Sequence, residues 1–141
     1  MNIILPGDKD YESRPSVQRK SLRINLNENI YGTFVEIGAG QEVARNFYRV
    51  GAASGTIAKS MSAYDKSFSD SIYGKEENGR YVTQNRLDKM LDHEMDLLEK
   101  RISRDKNPDK FFFVYANTVA TIDFVKKFKG HGLSLIHISE P

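Results

Sequence analysis

The alternation of apolar and polar positions picks out a few well-patterned segments. Thr33-Phe-Val-Glu-Ile37 is a β-branched and aromatic run, the pattern of a strand. It ends in Gly38-Ala-Gly40, and behind it Val43, Ala44, Phe47 and Tyr48 fall at i, i+1, i+4 and i+5, one face of a helix. Gly51 supplies a C-terminal stop. The longest regular segment runs from Thr83 to about Arg104. Leu87, Met90, Leu91, Met95, Leu98 and Ile102 form one stripe, and Asp88, Lys89, Asp92, Asp96, Glu99 and Lys100 form the wet face. Thr83 or Asn85 caps its start, because a short side-chain oxygen accepts from an otherwise orphan amide. Asn107-Pro108 ends it, and Phe111-Phe-Phe-Val-Tyr-Ala116 then reads as a strand buried on both faces.

Other stretches are less patterned. Residues 7–21 are polar with two breakers, a flexible lead-in. Leu22, Ile24 and Leu26 alternate with Arg23 and Asn25, but the period fades at Asn27-Glu-Asn29, which leaves strand and short helix both open. Thr56 to Tyr64 fits a second strand or a small-residue helix. Residues 66–80, with Gly74 and Glu76-Glu-Asn-Gly79, read as an exposed loop. The order of elements is α/β: a partial Rossmann-like sheet with flanking helices over residues 22–132, after a flexible segment over residues 1–21.

Composition narrows the class. A chain of 141 residues is one domain long, and 39% hydrophobic with 28% charged residues suits a soluble globular protein. The net charge of +2 comes from cations interleaved with acids, so no nucleic-acid partner is expected. The absence of cysteine excludes disulfides, thiolate zinc sites and a cysteine nucleophile, and it suits a cytoplasmic location. No run approaches the roughly 20 apolar residues of a membrane helix, and Met1-Asn-Ile-Ile-Leu-Pro6 lacks the basic and apolar regions of a secretory signal. No metal site and no membrane partner are expected.

The tail Leu133-Ser-Leu-Ile-His-Ile-Ser-Glu-Pro141 resembles the translation of a sequencing-adapter read-through. The expectation is that residues 133–141 are artefactual and that the α/β domain is truncated, the natural chain continuing past about Gly132 with other residues. The alternative is a short native strand, in which Leu133, Leu135 and His137 alternate with serine and isoleucine.

Candidate chemistry centres on Gly38–Gly40. Strand-to-helix glycine turns often hold phosphate, because helix N-terminal amides point at the anion. Glu36-Ile-Gly-Ala-Gly40 matches the opening of an S-adenosylmethionine loop, an acid followed by G-x-G-x-G, although Glu42 holds the third glycine position. Read as G-x-G-x-x-G, the third glycine is Val43; the looser G-x-G-x-x-x-A fits at Gly38, Gly40 and Ala44. Gly38, Ala39, Gly40 and Gln41 would offer backbone amides, and Asp65, after a second strand, would bind a ribose hydroxyl. Asn117 and Thr118 would face the same crevice, since ligands bind at the carboxyl ends of strands in open α/β sheets. A nucleotide-type small molecule is therefore the expected partner, and a further reading is an S-adenosylmethionine-dependent methyltransferase-like domain built on Glu36, Gly38 and Gly40. A competing reading has the glycines only packing strand against helix, in an interaction or scaffold domain.

Other motifs fail. Asp92-His-Glu94 would need His at 97 for a zinc protease, and Leu97 stands there. No G-x-x-x-x-G-K-[ST] loop and no G-x-S-x-G elbow is present. His131 between two glycines and the Lys126-Lys-Phe-Lys129 cluster read as ordinary surface features.

The run Tyr31 to Arg45, with Ala63-Tyr-Asp65, Phe68-Ser-Asp70, Ile72-Tyr-Gly74 and Tyr115-Ala-Asn-Thr-Val-Ala120, resembles a family of soluble bacterial proteins over about residues 22–132. Its members carry the label TonB-dependent receptor, and some the label nicotinate-nucleotide adenylyltransferase. The resemblance implies membership of that family. It does not imply a receptor activity, since an outer-membrane barrel needs many strands of roughly ten alternating residues. Nor does it imply adenylyl transfer, since the nearest string to a paired-histidine nucleotide motif is Gly130-His-Gly132.

Overall fold

A computed structural model of the chain describes residues 16–121 and 130–141. Their elements are α1 (Val17–Asn25), β1 (Ile30–Gly38), α2 (Val43–Val50), β2 (Ile57–Ala63), α3 (Lys66–Tyr73), α4 (Gln84–Arg101), β3 (Phe111–Ala120) and β4 (His131–Ser139). A single 3-10 turn, Ala53–Gly55, joins α2 to β2. The lead-in up to residue 15 and the Lys126–Lys129 cluster lie outside the described residues.

The strands form one sheet in the order β2-β1-β3-β4. β1 is parallel to β2 and to β3, and β4 is antiparallel to β3. Helices flank both faces of this open α/β sheet, in agreement with the Rossmann-like expectation. Successive side chains of β1 point to opposite faces. Val35 and Ile37 join Phe112, Val114 and Ala116 of β3 against the stripe Leu87, Met90, Leu91, Met95 and Leu98 of α4. Phe34 and Phe113 point the other way, onto Ala44, with Val43 and Phe47 of α2 around them. The Phe34 ring lies 5.0 Å from Phe47 and 5.4 Å from Phe113, within the range of favourable aromatic pairs.

The connections matter for function. From β1 the chain passes over the Phe34 face through α2 to β2. It returns over the Val35 face through α3 and α4 to β3, on the other side of β1. The β1/β3 boundary is thus a topological switch point, where open α/β sheets leave a crevice at the carboxyl ends of their strands.

One stretch left open between strand and short helix is a helix, and another differs from its expected loop. The alternation at Leu22, Ile24 and Leu26 lies in and just after a helix. Ser16 caps α1 by accepting from the Arg19 amide at 3.1 Å, and the Asn25 side chain donates to the carbonyls of Phe47 and Gly51, each at 2.9 Å. Those polar anchors tie α1 to the end of α2, so three alternating apolar residues do not set its conformation. The segment expected as an exposed loop contains α3. Asp65 caps it by accepting from the Phe68 amide at 3.1 Å, and Ser69, Tyr73 and Glu76 are buried. Its inward face is largely polar, so apolar spacing carries no sign of it.

Candidate functional site

Gly38 closes β1 with a φ of +83°. A Cβ there would sit 2.0 Å from the Val119 carbonyl oxygen, so only glycine allows this approach of turn to β3. The Ala39 amide donates to that same oxygen at 3.1 Å. At Gly40 a Cβ would lie 2.5 Å from the Val119 Cγ2 methyl. Gln41 folds back, its amide donating to the Gly38 carbonyl at 2.9 Å.

Behind the turn lies a buried polar knot. Glu36 is 3% exposed. Its Oε1 accepts from the Val43 amide at 2.8 Å and its Oε2 from the Ala44 amide at 3.3 Å. Asn117 donates through Nδ2 to Glu36 Oε1 at 3.1 Å and to the Gly40 carbonyl at 2.7 Å, while its Oδ1 accepts from the Ile37 amide at 3.2 Å. The first amides of α2 therefore hold the protein's own carboxylate, in the position an anion takes when it binds a helix N-terminus. Of the residues expected at one ligand, Glu36, Gly38, Gly40, Gln41 and Asn117 come together here, as contacts among themselves. Ala39 is exposed at the tip of the turn.

The open space lies on the other side. Gly38 and Thr118 line a crevice of about 400 Å³ over the carboxyl ends of β1 and β3, with Tyr64, Lys66, Ser69, Tyr81 and Arg86 among its other walls. Thr118 Oγ1 donates to the Tyr81 carbonyl at 3.0 Å, tying the loop before α4 to the end of β3. Lys66 Nζ stands 4.6 Å from the Tyr81 ring centroid, a cation–π contact. Among the described residues it pairs with no carboxylate. Asp65 is exposed between the two lining residues Tyr64 and Lys66, and its Oδ2 is engaged by the α3 cap.

Arg86, 1% exposed, is the hub of the crevice wall. Its Nη2 donates to Ser69 Oγ at 2.9 Å and Asp70 Oδ1 at 3.2 Å, and its Nη1 to Glu76 Oε2 at 2.9 Å and to the Gly74 carbonyl. Tyr81 donates to Asp70 Oδ2 at 2.9 Å, and Lys89 adds a 2.9 Å pair with Glu76. Burial alone would raise the Glu76 carboxyl. Hydrogen bonds from Lys89 and Arg86, with their charges, outweigh it and hold the carboxyl below its ordinary value.

Lys66, Ser69, Tyr81 and Arg86 are the wall residues that sequence reasoning missed. One signal was present: Arg86 lies four residues before Met90 on the apolar stripe of α4, a cation at a core position.

Fold and crevice together define an open α/β domain with a cleft at its switch point. Solved structures then supply the neighbours. The chain is similar to a competence/damage-inducible protein CihA from Agrobacterium tumefaciens, at 13% identity and a TM-score of 0.57, over 99% of this chain and 83% of that one. A competence or damage-inducible protein from Enterobacter asburiae is similar at 11% identity and 0.57, over 90% and 84%. A CinA-superfamily protein from Escherichia coli follows at 9% and 0.55, over 99% and 82%. At such identities the likeness is one of fold. No protein-family model and no curated protein matches the chain. These findings correct the resemblance drawn from sequence: the neighbours are CinA-type proteins, and the TonB-dependent receptor and nicotinate-nucleotide adenylyltransferase labels do not stand. The strings that suggested them map to a strand–turn–helix, a helix start and a strand end, features that an open α/β sheet needs in any case. Among the described residues no helix is long and apolar enough to cross a membrane.

Proposed function

We propose that the crevice over β1 and β3 binds a nucleotide-type small molecule, its anionic group met by Lys66 and its planar part by the Tyr64 and Tyr81 rings. The observation that carries this reading is Lys66, a cation with no carboxylate partner among the described residues, at the mouth of a cleft of about 400 Å³. The volume is in the range of small-ligand sites, roughly 300–1,000 Å³. Gly38 and Thr118 form part of the floor. Glu36, Ala39, Gly40, Gln41 and Asn117 act behind it by holding the turn against β3, since Glu36 takes the α2 amides that a phosphate would use. Asp65 stays within reach of a ribose through the oxygen that the cap leaves free. A cytoplasmic location belongs to the same reading.

A second reading, a non-catalytic interaction or scaffold domain, is favoured by one observation: Val119 fills the space beside both Gly38 and Gly40. Calorimetric titration with AMP, NAD and S-adenosylmethionine separates the two. The ligand reading expects saturable AMP binding that weakens with salt and falls about tenfold, or about 1.4 kcal/mol, in Lys66→Ala. Absence of binding at millimolar concentrations of all three would leave the scaffold reading.

A further inference from the structure

A second pocket, of about 330 Å³, opens on the α4 face of the sheet toward the amino-terminal half of β1. Its walls are apolar: the Tyr31 ring, Leu97 and Ile102. Its polar lining is Thr33, Lys59 and Arg101. Thr33 and Lys59 are neighbours across β1 and β2, and Arg101 comes from the last turn of α4. A bulge between Gly32 and Thr33 makes the room by inserting Ala58 into the edge strand.

Two polar side chains of this pocket are not engaged by other described residues. Thr33 lines this pocket, and its hydroxyl makes no hydrogen bond to another described residue. Arg101 is exposed and pairs with no carboxylate among the described residues. Lys59 is different, because its Nζ lies 2.5 Å from Oε1 of the buried Glu94. That contact cancels its charge and leaves N–H groups to spare. Among the lining residues, with Lys59 paired to Glu94, the balance is one net positive charge from Arg101, one hydroxyl and a spare ammonium donor, set beside hydrocarbon.

We propose that this pocket binds a small amphipathic monoanion, a carboxylate on a short aliphatic or aromatic body. The carboxylate takes Arg101, a Lys59 N–H and the Thr33 hydroxyl; the body lies on Tyr31, Leu97 and Ile102. A dianionic phosphate fits less well, because Glu94 sits directly behind Lys59. The site is separate from the crevice and does not depend on what that crevice binds.

Titration with octanoate, followed by chemical shifts of assigned amides and methyls, tests the proposal on the whole chain. The expected result is saturable shifts at Thr33, Leu97 and Ile102. Affinity should rise about fourfold per methylene from hexanoate to octanoate. Octanol, with the same tail and no charge, should bind at least about tenfold more weakly, as should octanoate to Arg101→Glu. Thr33→Val keeps the shape of the core and should weaken octanoate about threefold to tenfold while leaving the fold intact. Absence of shifts at millimolar octanoate overturns the proposal. So does unchanged affinity in Arg101→Glu, or shifts confined to the apolar groove around Phe113.

Discussion

Replacing Glu36 by glutamine tests the account of the glycine turn most directly. The carboxylate is 3% exposed and has no cationic partner among the described residues; what stabilises it is the N-terminus of α2 and the Asn117 amide. Glutamine keeps the shape. With its carbonyl at the Oε1 position it still accepts from Val43 and Asn117, but its NH2 then faces the Ala44 amide, donor against donor. An orphaned buried amide costs about 1–3 kcal/mol. Loss of negative charge at the helix start adds about 0.5–1 kcal/mol. Relief from burying a carboxylate offsets part of this. The expected net loss is about 2 kcal/mol, or roughly 4–8 °C in melting temperature for a chain of this size.

Urea unfolding followed by far-ultraviolet circular dichroism measures that loss at neutral pH. Asn117→Ala and the double variant complete a thermodynamic cycle, in which a coupling of about 1 kcal/mol or more is expected for groups in one network. A loss below about 0.5 kcal/mol, the size of an ordinary surface change, would refute the claim that Glu36 anchors α2. AMP titration of the same variant adds a functional arm. Affinity within about twofold of the parent agrees with an anion held by Lys66. A tenfold gain, which is about 1.4 kcal/mol, would show instead that the phosphate sits on α2, where it had been opposed by the carboxylate.

Three further outcomes follow from the geometry. Gly38 and Gly51 share a φ of +83°, but only at Gly38 does a Cβ meet an atom, 2.0 Å away. Gly51→Ala should thus cost about 1–3 kcal/mol from backbone alone, and Gly38→Ala should add about 1–3 kcal/mol for the clash; equal losses in thermal unfolding would sink the close-approach argument. Glu76→Gln should lose about 2–4 kcal/mol by leaving Arg86 and Lys89 undercompensated. Because folding lowers the Glu76 carboxyl below its ordinary 4.5, the gap between parent and variant should be full above that pH and close as pH falls through the folded value; a gap that does not change with pH refutes it. Burial and the 2.7 Å hydrogen bond to Glu94 push the Tyr73 phenol upward, so folding holds its proton and stability should fall as pH rises above about 10. Tyr73→Phe should flatten that alkaline slope, and an unchanged slope would count against the Glu94 contact.

How much of this was legible depends on what holds each element. β1, β3 and α4 are held by apolar burial, so their periodicity shows in the chain. Val35 and Ile37 face one way and Phe34 the other, and Leu87, Met90, Leu91, Met95 and Leu98 all reach the same core. β2 stayed ambiguous because it is an edge strand whose Ser60 and Ser62 need no core. α3 was hidden for a related reason. Its inward face binds through Ser69 and Asp70 to Arg86, a partner 16 or 17 residues away in the chain, and no local window contains both halves. Yet Arg86 and Glu94 sit on the apolar stripe of α4, spaced with Met90 and Leu98. A charge at a core position is either an error in the element or one half of a tertiary pair, and here both charges are such halves: Arg86 meets Glu76 and Asp70, and Glu94 meets Lys59.

The glycine turn poses a harder problem, because its two readings require the same residues. A phosphate loop needs glycines so that an anion can approach the backbone; a close-packed turn needs them so that β3 can. Gly38 and Gly40 satisfy both, and no count of G-x-G spacing separates the cases. The discriminating residue is Glu36, two positions before Gly38. On a strand, residues two apart share a face, and Phe34, again two earlier, packs against α2. The Glu36 carboxylate therefore has to arrive under the first turn of α2, where it accepts from Val43 and Ala44. An acid in that register fills the anion site from inside, which moves the search for a ligand to the opposite face, where Lys66 stands without a partner carboxylate among the described residues.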